Sequence, residues 1–264
     1  MTLLFYTKLE SLLKQKLRSP FINPEEKKLI VHCCYHKVGT AWFIRVLSRI
    51  ARYYGLTFQC CEQQQLADDT DIFMEYMSRV DTSKFSNYVG SHMIRDPRDI
   101  IISGYFYHLW TKEAWAHIPR PNLNNMTYQQ HLKSLDRQAG LLAEMKGTSY
   151  EVIQEMSQWN YHDPNFIEIK YEDIIVDEKE VFSKIFRHYG FDREAIENCL
   201  KISEQFSFKN KAKRKVGTVK KKSHMRSGRP GEWQELFNEE HKQQFKELFG
   251  DVLIKLGYET DNNW

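Results

Sequence analysis

The prediction of the fold rests on the stretch LIVHCCYHKVGTAWFIRVLSRI, residues 29–50. Its apolar, β-branched beginning, residues 29–35, predicts a buried strand. A short polar turn with Gly39 follows, and apolar residues then recur at helical spacing to the end of the stretch. A strand, a glycine-containing turn and a helix N-terminus direct several backbone N–H groups towards an anion. The stretch therefore predicts an anion-binding unit, to which Lys37 adds a positive charge and Thr40 a hydroxyl.

The loop from His36 to Trp42 resembles the phosphosulfate-binding loop of sulfotransferases that use the donor 3′-phosphoadenosine 5′-phosphosulfate (PAPS). In cytosolic members this loop commonly reads proline, lysine, serine, glycine, threonine, threonine, tryptophan. The departures at Val38 and Ala41 remove hydroxyls but keep the backbone N–H groups, and His36 replaces the proline. The resemblance implies that Lys37 is also catalytic, because an ammonium can offset charge growing on the leaving oxygen. The donor-binding residues that it implies in this loop are Lys37, Val38, Gly39, Thr40, Ala41 and Trp42.

A second motif, RDPRDIIIS at residues 95–103, follows an apolar run that predicts another strand. Asp96 is a capping residue and Pro97 suits a first helical turn, so a helix is predicted to begin at Pro97. Arg95 lies at the carboxyl end of the predicted strand, where α/β sheets bind ligands. Its arrangement with Ser103, eight residues later, is similar to the family's signature for the 3′-phosphate of the donor.

Three segments nearer the C-terminus also resemble parts of this family. Tyr171-Glu172-Asp173 is similar to a segment whose tyrosine contacts the adenine, and Phe208 lies where the family places an adenine contact. The segment RSGRPGEW, residues 226–233, resembles a glycine-rich loop that contacts the 3′-phosphate, with a serine in place of a lysine. The phosphate-binding residues that this loop implies are Arg226, Ser227 and Gly228.

The group that takes the acceptor's proton is left open between several residues. Cytosolic members use a histidine in a lysine–threonine–histidine strand, and no such segment occurs here. Glu62 follows the second predicted strand, and residues 60–63, CCEQ, resemble the glutamate segment of the protein-tyrosine sulfotransferases. His108, on the helix that begins at Pro97, is the second candidate base. The remaining alternatives are His92, His36 or no protein base.

Length and composition favour one domain over residues 1–264, with 41% hydrophobic residues and a net charge of +3. No apolar run approaches the roughly 20 residues that cross a bilayer. The first 17 residues mix charged residues with leucines and predict an amphipathic packing helix rather than a signal peptide. Five cysteines, four of them in adjacent pairs, lack zinc-ligand spacing and predict buried thiols. We therefore expect a cytoplasmic protein without a membrane span or a metal.

The segment 209–229 is rich in lysine and arginine but has no interleaved aromatic residues, so we expect no nucleic-acid partner. Its part from Lys209 to Lys222 is predicted to be a mobile flap that orders over the bound nucleotide.

Together these patterns predict a single-domain α/β fold, with a central parallel sheet flanked by helices and a P-loop-like strand–loop–helix unit. Residues 110–125 are predicted to form a loop. Strands are further predicted at 56–61, 88–94 and 166–171, and helices at 72–80, 128–145, 149–160, 180–189 and 238–256.

The reaction implied is the transfer of a sulfuryl group from PAPS to a hydroxyl or amine, which releases 3′-phosphoadenosine 5′-phosphate (PAP). The acceptor is left open as a small molecule, a glycan or a lipid, and the oligomeric state is not predicted. One alternative is a P-loop nucleotide kinase, but Lys37 precedes the only glycine of the loop and no carboxylate is placed for magnesium. The other alternative is a non-catalytic nucleotide-binding protein, which would keep Arg95 and Ser103 but lack a base.

Overall fold

The computed structural model of the protein describes residues 19–26, 28–207, 210, 217–218 and 226–264. The predicted N-terminal helix, Phe208 and most of the predicted flap lie outside these residues. The chain divides into two compact units, which we call the sheet unit and the helical unit. The sheet unit holds the described residues of Met1–Tyr35, Gly39–Met93 and Tyr161–Lys211, and the helical unit holds those of His36–Val38, Ile94–Asn160 and Ala212–Trp264. The prediction of one domain over residues 1–264 stays a prediction.

A five-stranded sheet runs through the described part of the chain, in the order β2-β3-β1-β4-β5. Strand β1 pairs in parallel with both β3 and β4, and β2 pairs in parallel with β3. The predicted α/β fold with a central parallel sheet is confirmed. The strands are β1 Leu29–Cys33, β2 Phe58–Cys60, β3 Ile72–Glu75, β4 Tyr88–Ile94 and β5 Phe166–Lys170.

Strand β3 corrects the prediction of a short helix over residues 72–80. Its residues Ile72, Phe73, Met74 and Glu75 are all buried, between β1 on one side and β2 on the other. A strand that is buried on both faces has no alternation of apolar and polar residues, so its sequence lacks the period that distinguishes a strand from a helix.

The helices begin where local sequence signals place them. The Asp96 carboxylate accepts a hydrogen bond from the Arg98 N–H at 2.9 Å, and the helix begins at Pro97 as predicted. The helices are α1 Thr40–Tyr54, α2 Pro97–His108, α3 Tyr128–Ser134, α4 Arg137–Lys146, α5 Thr148–Gln158, α6 Tyr171–Val176, α7 Glu178–His188, α8 Arg193–Glu204, α9 Trp233–Leu236, α10 Glu239–Phe249 and α11 Val252–Lys255.

Two predicted helices are each divided in the structure. The segment predicted as one helix over 128–145 forms α3 and α4, because the Asp136 carboxylate caps the second helix by accepting from the Ala139 N–H at 2.9 Å. The segment 238–256 is broken at Gly250, whose φ of 52° ends α10. Helix α8 was not predicted, and the predicted loop 110–125 contains two short 3-10 helices.

The core of the sheet unit surrounds β1 and β4. At Gly90 on β4, an added Cβ would lie 2.3 Å from the ring of Phe166, so the strand approaches this ring too closely for a side chain. Cys33, Cys34 and Cys199 are buried, as predicted, whereas Cys60 and Cys61 are half-buried; all five are free thiols.

Candidate functional site

The turn between β1 and α1 has the backbone that an anion-binding loop requires. Lys37 and Gly39 adopt left-handed conformations, with φ of 67° and 79°. Glycine suits this conformation at position 39, and an added Cβ there would lie 2.4 Å from the Met93 methyl. Within the described chain, no side chain caps the N-terminus of α1. The turn therefore leaves a helix N-terminus whose N–H groups can bind an anion.

The first side chains of α1 are partly engaged inside the sheet unit. Thr40 Oγ1 donates a hydrogen bond to the Tyr35 carbonyl at 2.9 Å. Trp42 is half-buried and packs edge-on against Phe182, with 5.7 Å between ring centroids, and Ala41 is exposed. Because the Thr40 hydroxyl already donates its hydrogen, the backbone N–H groups are the donors that this turn offers to an anion.

Three cationic side chains lie close together in the helical unit. Lys37 Nζ lies 3.5 Å from the centroid of the Tyr107 ring, and Arg95 Nη1 donates to the Lys37 carbonyl at 3.4 Å. The Arg226 guanidinium lies 4.3 Å from the centroid of the Phe106 ring. Desolvation, together with the neighbouring charges of Arg95 and Arg226, lowers the pKa of Lys37 to about 7. The three side chains, which we call the cationic cluster, oppose one another's charge and so favour an anion among them.

Asp99 on α2 holds the segment 226–233 in place. Its two carboxylate oxygens accept hydrogen bonds from the Gly231 N–H at 2.7 Å and the Trp233 N–H at 3.1 Å. Arg95 Nη2 lies 3.7 Å from the same carboxylate. Burial raises the pKa of Asp99 to about 6, although Arg95 opposes this shift. One buried carboxylate thus fixes the position of both phosphate motifs that the sequence predicts.

The other residues of these motifs lie in the same unit. Arg226 is paired with Glu232, and burial lowers the pKa of its guanidinium while Glu232 opposes this effect. Ser227 is buried, and Gly228 has a φ of 68°. Ser103 is half-buried about two turns into α2. The structure therefore brings Lys37, Arg95 and Arg226 together, with Ser103 on the helix that follows Arg95.

A pair of histidines adjoins the cationic cluster. His36 Nε2 lies 3.1 Å from His108 Nε2, and His108 Nδ1 lies 2.8 Å from Glu144 Oε2. Glu144 also accepts hydrogen bonds from the Tyr128 hydroxyl at 2.8 Å and the Ser149 hydroxyl at 2.7 Å. His108 and Glu144 are completely buried. Both ring nitrogens of His108 are thus engaged, one by His36 and the other by Glu144.

The sheet unit holds the other candidates. Glu62 is exposed and directly precedes a short 3-10 helix, and Tyr171 is half-buried at the start of α6, directly after β5. His92 is buried, with Nδ1 2.6 Å from Glu168 Oε2 and Nε2 3.0 Å from the Tyr35 hydroxyl. Those contacts make His92 a satisfied core residue. Phe208 lies outside the described residues.

Glu75 and Glu144 are buried carboxylates that the sequence did not point to. Glu75 ends β3 at the carboxyl edge of the sheet, where its Oε2 accepts from the N–H groups of Met77 at 2.9 Å and Arg79 at 2.7 Å. The helix predicted over 72–80 hid this position, although a single acid at the end of an apolar run is a signal for it. No local pattern in the sequence marks Glu144 as buried, since His108 and Tyr128, which contact it, lie 36 and 16 residues away.

Neither a metal site nor a membrane span is found within the described ranges. They contain no group of three or more His, Cys, Asp or Glu side chains that could hold a metal ion. None of their helices is both long enough and apolar enough to cross a bilayer.

Comparison with known structures places the fold among sulfotransferases bound to PAP. Mouse sulfotransferase SULT7A1 complexed with PAP is 19% identical, with a TM-score of 0.56 over 86% of this chain and 85% of that one. Retinol dehydratase in a complex with retinol and PAP is 16% identical, with a TM-score of 0.51 over 92% and 86%. The same enzyme with androsterone and PAP is 15% identical, with a TM-score of 0.52 over 92% and 83%. Comparison with curated sequences finds no significant match.

The parallel α/β fold and a strand–loop–helix turn with an uncapped helix N-terminus are typical of proteins that bind anionic ligands. The profile of the sulfotransferase domain matches residues 91–257, which include both Arg95 and Arg226. The chain therefore belongs to the sulfotransferase domain family, and the predicted enzyme class is confirmed. Membership favours this class over the P-loop nucleotide kinase.

Proposed function

We propose that the protein transfers a sulfuryl group from PAPS to a hydroxyl or amine of an acceptor and releases PAP. The observation that supports this most directly is the cationic cluster of Lys37, Arg95 and Arg226. PAPS carries a 3′-phosphate and a phosphosulfate, and clustered cationic side chains suit such a ligand. The PAP complexes of the structural neighbours support the same ligand here.

Lys37 and the loop N–H groups are proposed to bind the phosphosulfate. Negative charge grows on the oxygen that leaves the sulfur, and the Lys37 ammonium offsets it. This reaction parallels phosphoryl transfer, where positioning and electrostatics supply most of the catalysis. The proposed mechanism needs no metal, because the ammonium and the N–H groups stabilise the leaving group. The loop residues in this role are Lys37, Val38, Gly39, Thr40, Ala41 and Trp42.

The 3′-phosphate is proposed to bind Arg95, Ser103 and Arg226. A guanidinium offers a planar set of donors to a phosphate, and Ser103 adds a hydroxyl. Ser227 and Gly228 extend this phosphate site, and Tyr171 and Phe208 are proposed as adenine contacts, on the resemblance described above.

Glu62 and His108 are the proposed candidates for the base. Glu62 is exposed and can meet an acceptor directly, whereas His108 is buried and has His36 at its Nε2. Glu62→Gln keeps the shape of the side chain and removes its basicity. Loss of turnover in this variant with unchanged donor affinity would support Glu62.

The acceptor is proposed to be a small molecule, a glycan or a lipid that carries a hydroxyl or an amine. Retinol and androsterone, present in the neighbouring structures, are hydrophobic alcohols and belong in an acceptor panel. A cytoplasmic location and the absence of a nucleic-acid partner stay predictions.

Titration with PAPS, PAP and ATP, followed by turnover with labelled PAPS, tests the function. We expect binding of PAPS and PAP, weaker binding of ATP, and transfer of label to an acceptor. Tighter binding of ATP would favour a kinase, and binding of PAPS without transfer to any acceptor would favour a non-catalytic protein.

A further inference from the structure

We propose that His36, His108 and Glu144 form a proton relay in which His36 is the catalytic base and the other two are positioning residues. The inference rests on the proposed sulfuryl transfer and names the group that takes the acceptor's proton. It selects His36 among the alternatives that the sequence left open, and in this arrangement neither Glu62 nor His108 meets the acceptor.

The geometry of the relay is that of two consecutive hydrogen bonds. The rings of His36 and His108 are almost coplanar, with an interplanar angle of 4° and 5.3 Å between centroids. Their Nε2 atoms are 3.1 Å apart, and the far nitrogen of His108 is 2.8 Å from Glu144. His36 is half-buried while the other two are completely buried. The relay thus runs from a half-buried histidine to a completely buried carboxylate.

Hydrogen-bond chemistry fixes which nitrogen carries a proton. The Tyr128 and Ser149 hydroxyls donate to the Glu144 carboxylate, and an ionised carboxylate can only accept, so we assign the contact with His108 Nδ1 as a hydrogen bond that His108 donates. His108 then carries its proton on Nδ1, and its Nε2 is the acceptor. The contact between the two rings requires His36 to donate from Nε2. Neutral His36 therefore has its basic lone pair on Nδ1.

His36 stands beside the residue that we propose to act on the leaving group. It is the chain neighbour of Lys37, and its ring lies 5.7 Å from the ring of Tyr107, over which the Lys37 ammonium is placed. Desolvation lowers the pKa of Lys37, and the charge of Glu144 opposes this shift. The relay and the cationic cluster therefore influence each other electrostatically. A base next to Lys37 lies close to where the sulfuryl group is transferred.

The proposed step moves one proton from the acceptor to His36 as the sulfuryl group is transferred. The O–H bond of the acceptor breaks and its proton moves to His36 Nδ1, while the acceptor oxygen forms a bond to sulfur. The bond between sulfur and the 5′-phosphate oxygen breaks, and that oxygen keeps the electron pair beside Lys37. His36 can pass its Nε2 proton to His108, where the positive charge lies next to the Glu144 carboxylate. This ordering of roles is that of a catalytic triad, with a second histidine in place of the nucleophile.

Charged and titratable groups of the helical unit surround the relay. The Tyr107 ring lies 5.7 Å from the His36 ring, carries the Lys37 ammonium over its face and donates from its hydroxyl to Glu113 at 2.6 Å. The rings of Trp115 and Tyr128 and the Glu144 carboxylate lie against His108. The Arg120 guanidinium lies 4.8 Å from the Tyr128 ring centroid.

The histidine tautomers test the relay without any turnover. Nitrogen-15 NMR of the labelled full chain distinguishes Nδ1–H from Nε2–H rings, and the resonances are assigned with His36→Ala and His108→Gln. We expect His108 as the Nδ1–H tautomer and His36 as the Nε2–H tautomer at pH 8. The reverse pair of tautomers would overturn the relay whether or not the protein transfers sulfate.

Single-turnover kinetics with PAPS and an accepted alcohol test the role in catalysis. We expect His36→Ala and Glu144→Gln to lower the rate constant by about 10²–10⁴-fold, the contribution of general acid–base catalysis. PAP affinity should stay within threefold of the parent. The matched control is His117→Ala, since His117 is an exposed histidine of the same unit, and its rate should not change.

The pH profile separates a positioning role from a merely structural one. The rate of the parent should fall as pH decreases and the histidine pair becomes protonated. Glu144→Gln should move this acidic limb to lower pH, because the charge that favours protonation is removed, and His36→Ala should abolish it. An unchanged acidic limb in His36→Ala, or a rate within threefold of the parent, overturns the proposal. The unchanged protein is measured in the same assay. If it transfers the sulfuryl group while the variants behave as it does, the relay is wrong but the proposed sulfuryl transfer stands.

Discussion

Removal of the Lys37 ammonium is the perturbation that tests the proposed site most directly. Lys37 adopts a φ of 67°, a conformation that glycine accepts more easily than lysine does. Lys37→Gly therefore removes the charge and keeps the turn, whereas Lys37→Ala removes the charge but keeps a Cβ in the left-handed conformation. Agreement between the two variants would assign the effect to the charge and not to the backbone.

The lowered pKa of Lys37 gives this prediction a magnitude. With a pKa of about 7, roughly nine-tenths of the Lys37 amines are neutral at pH 8 and roughly one-tenth at pH 6. An anion bound beside the ammonium raises its pKa, so the complex regains the proton that the free protein has lost. Binding of PAP at pH 8 should take up about 0.9 proton, and PAP affinity should fall by up to about tenfold per pH unit above pH 7.

Isothermal titration calorimetry of PAP in two buffers with different ionisation enthalpies measures this uptake. At pH 8 the phosphates of PAP are already ionised, so they release no compensating protons. We expect the uptake to disappear in Lys37→Gly and to persist in Lys112→Ala, which alters an exposed lysine of the same unit. Turnover of Lys37→Gly should fall by at least about 10²-fold. Equal proton uptake in Lys37→Gly and the parent would refute the assignment.

Other residues give further expected outcomes. Arg95→Ala should weaken the binding of PAP by about 1.5–3 kcal/mol and scarcely affect the binding of a nucleotide without the 3′-phosphate. Titration of both nucleotides checks this, and equal weakening of both would contradict it. Gly90→Ala should lower the free energy of unfolding by about 1–3 kcal/mol, because its Cβ would overlap the buried Phe166 ring; urea unfolding measures the loss. Burial raises the pKa of Asp99 to about 6, so the folded protein binds more protons there than the unfolded chain. This stabilising contribution is complete below about pH 4 and is lost as pH rises through about 6, so Asp99→Asn should flatten the pH dependence of urea unfolding in that window.

The sequence was most informative where structure depends on neighbouring residues. The turn at Gly39 and the helix that begins at Pro97 are both set within a few residues by glycine, capping and proline chemistry. Those signals placed Lys37 and Arg95 at the two elements where the structure has them. Their proximity, visible in the Arg95 contact with the Lys37 carbonyl, became apparent only from the folded chain.

Features that depend on distant contacts could not be read in the same way. Strand β3 has no alternating pattern because both of its faces are buried, and so the position of Glu75 was lost with it. The contact of His36 with His108 spans 72 residues, and that of His108 with Glu144 spans 36. No local periodicity relates residues at such separations, so the sequence offered His36 as one alternative for the base but could not show its contact with His108.

The balance of charge around the cationic cluster explains how a protein can hold such a site before its ligand arrives. Arg95 lies 3.7 Å from Asp99, and Arg226 is paired with Glu232, so each guanidinium has a carboxylate partner. Within the described residues, Lys37 forms no ion pair, and desolvation instead shifts its pKa until the neutral amine is readily populated. The arginines keep their charge and are stabilised by acids, whereas the lysine can lose its charge. Under the proposed function, a polyanion would meet two fixed cations and one that becomes charged upon binding. The proton uptake expected for Lys37 follows from this difference between the arginines and the lysine.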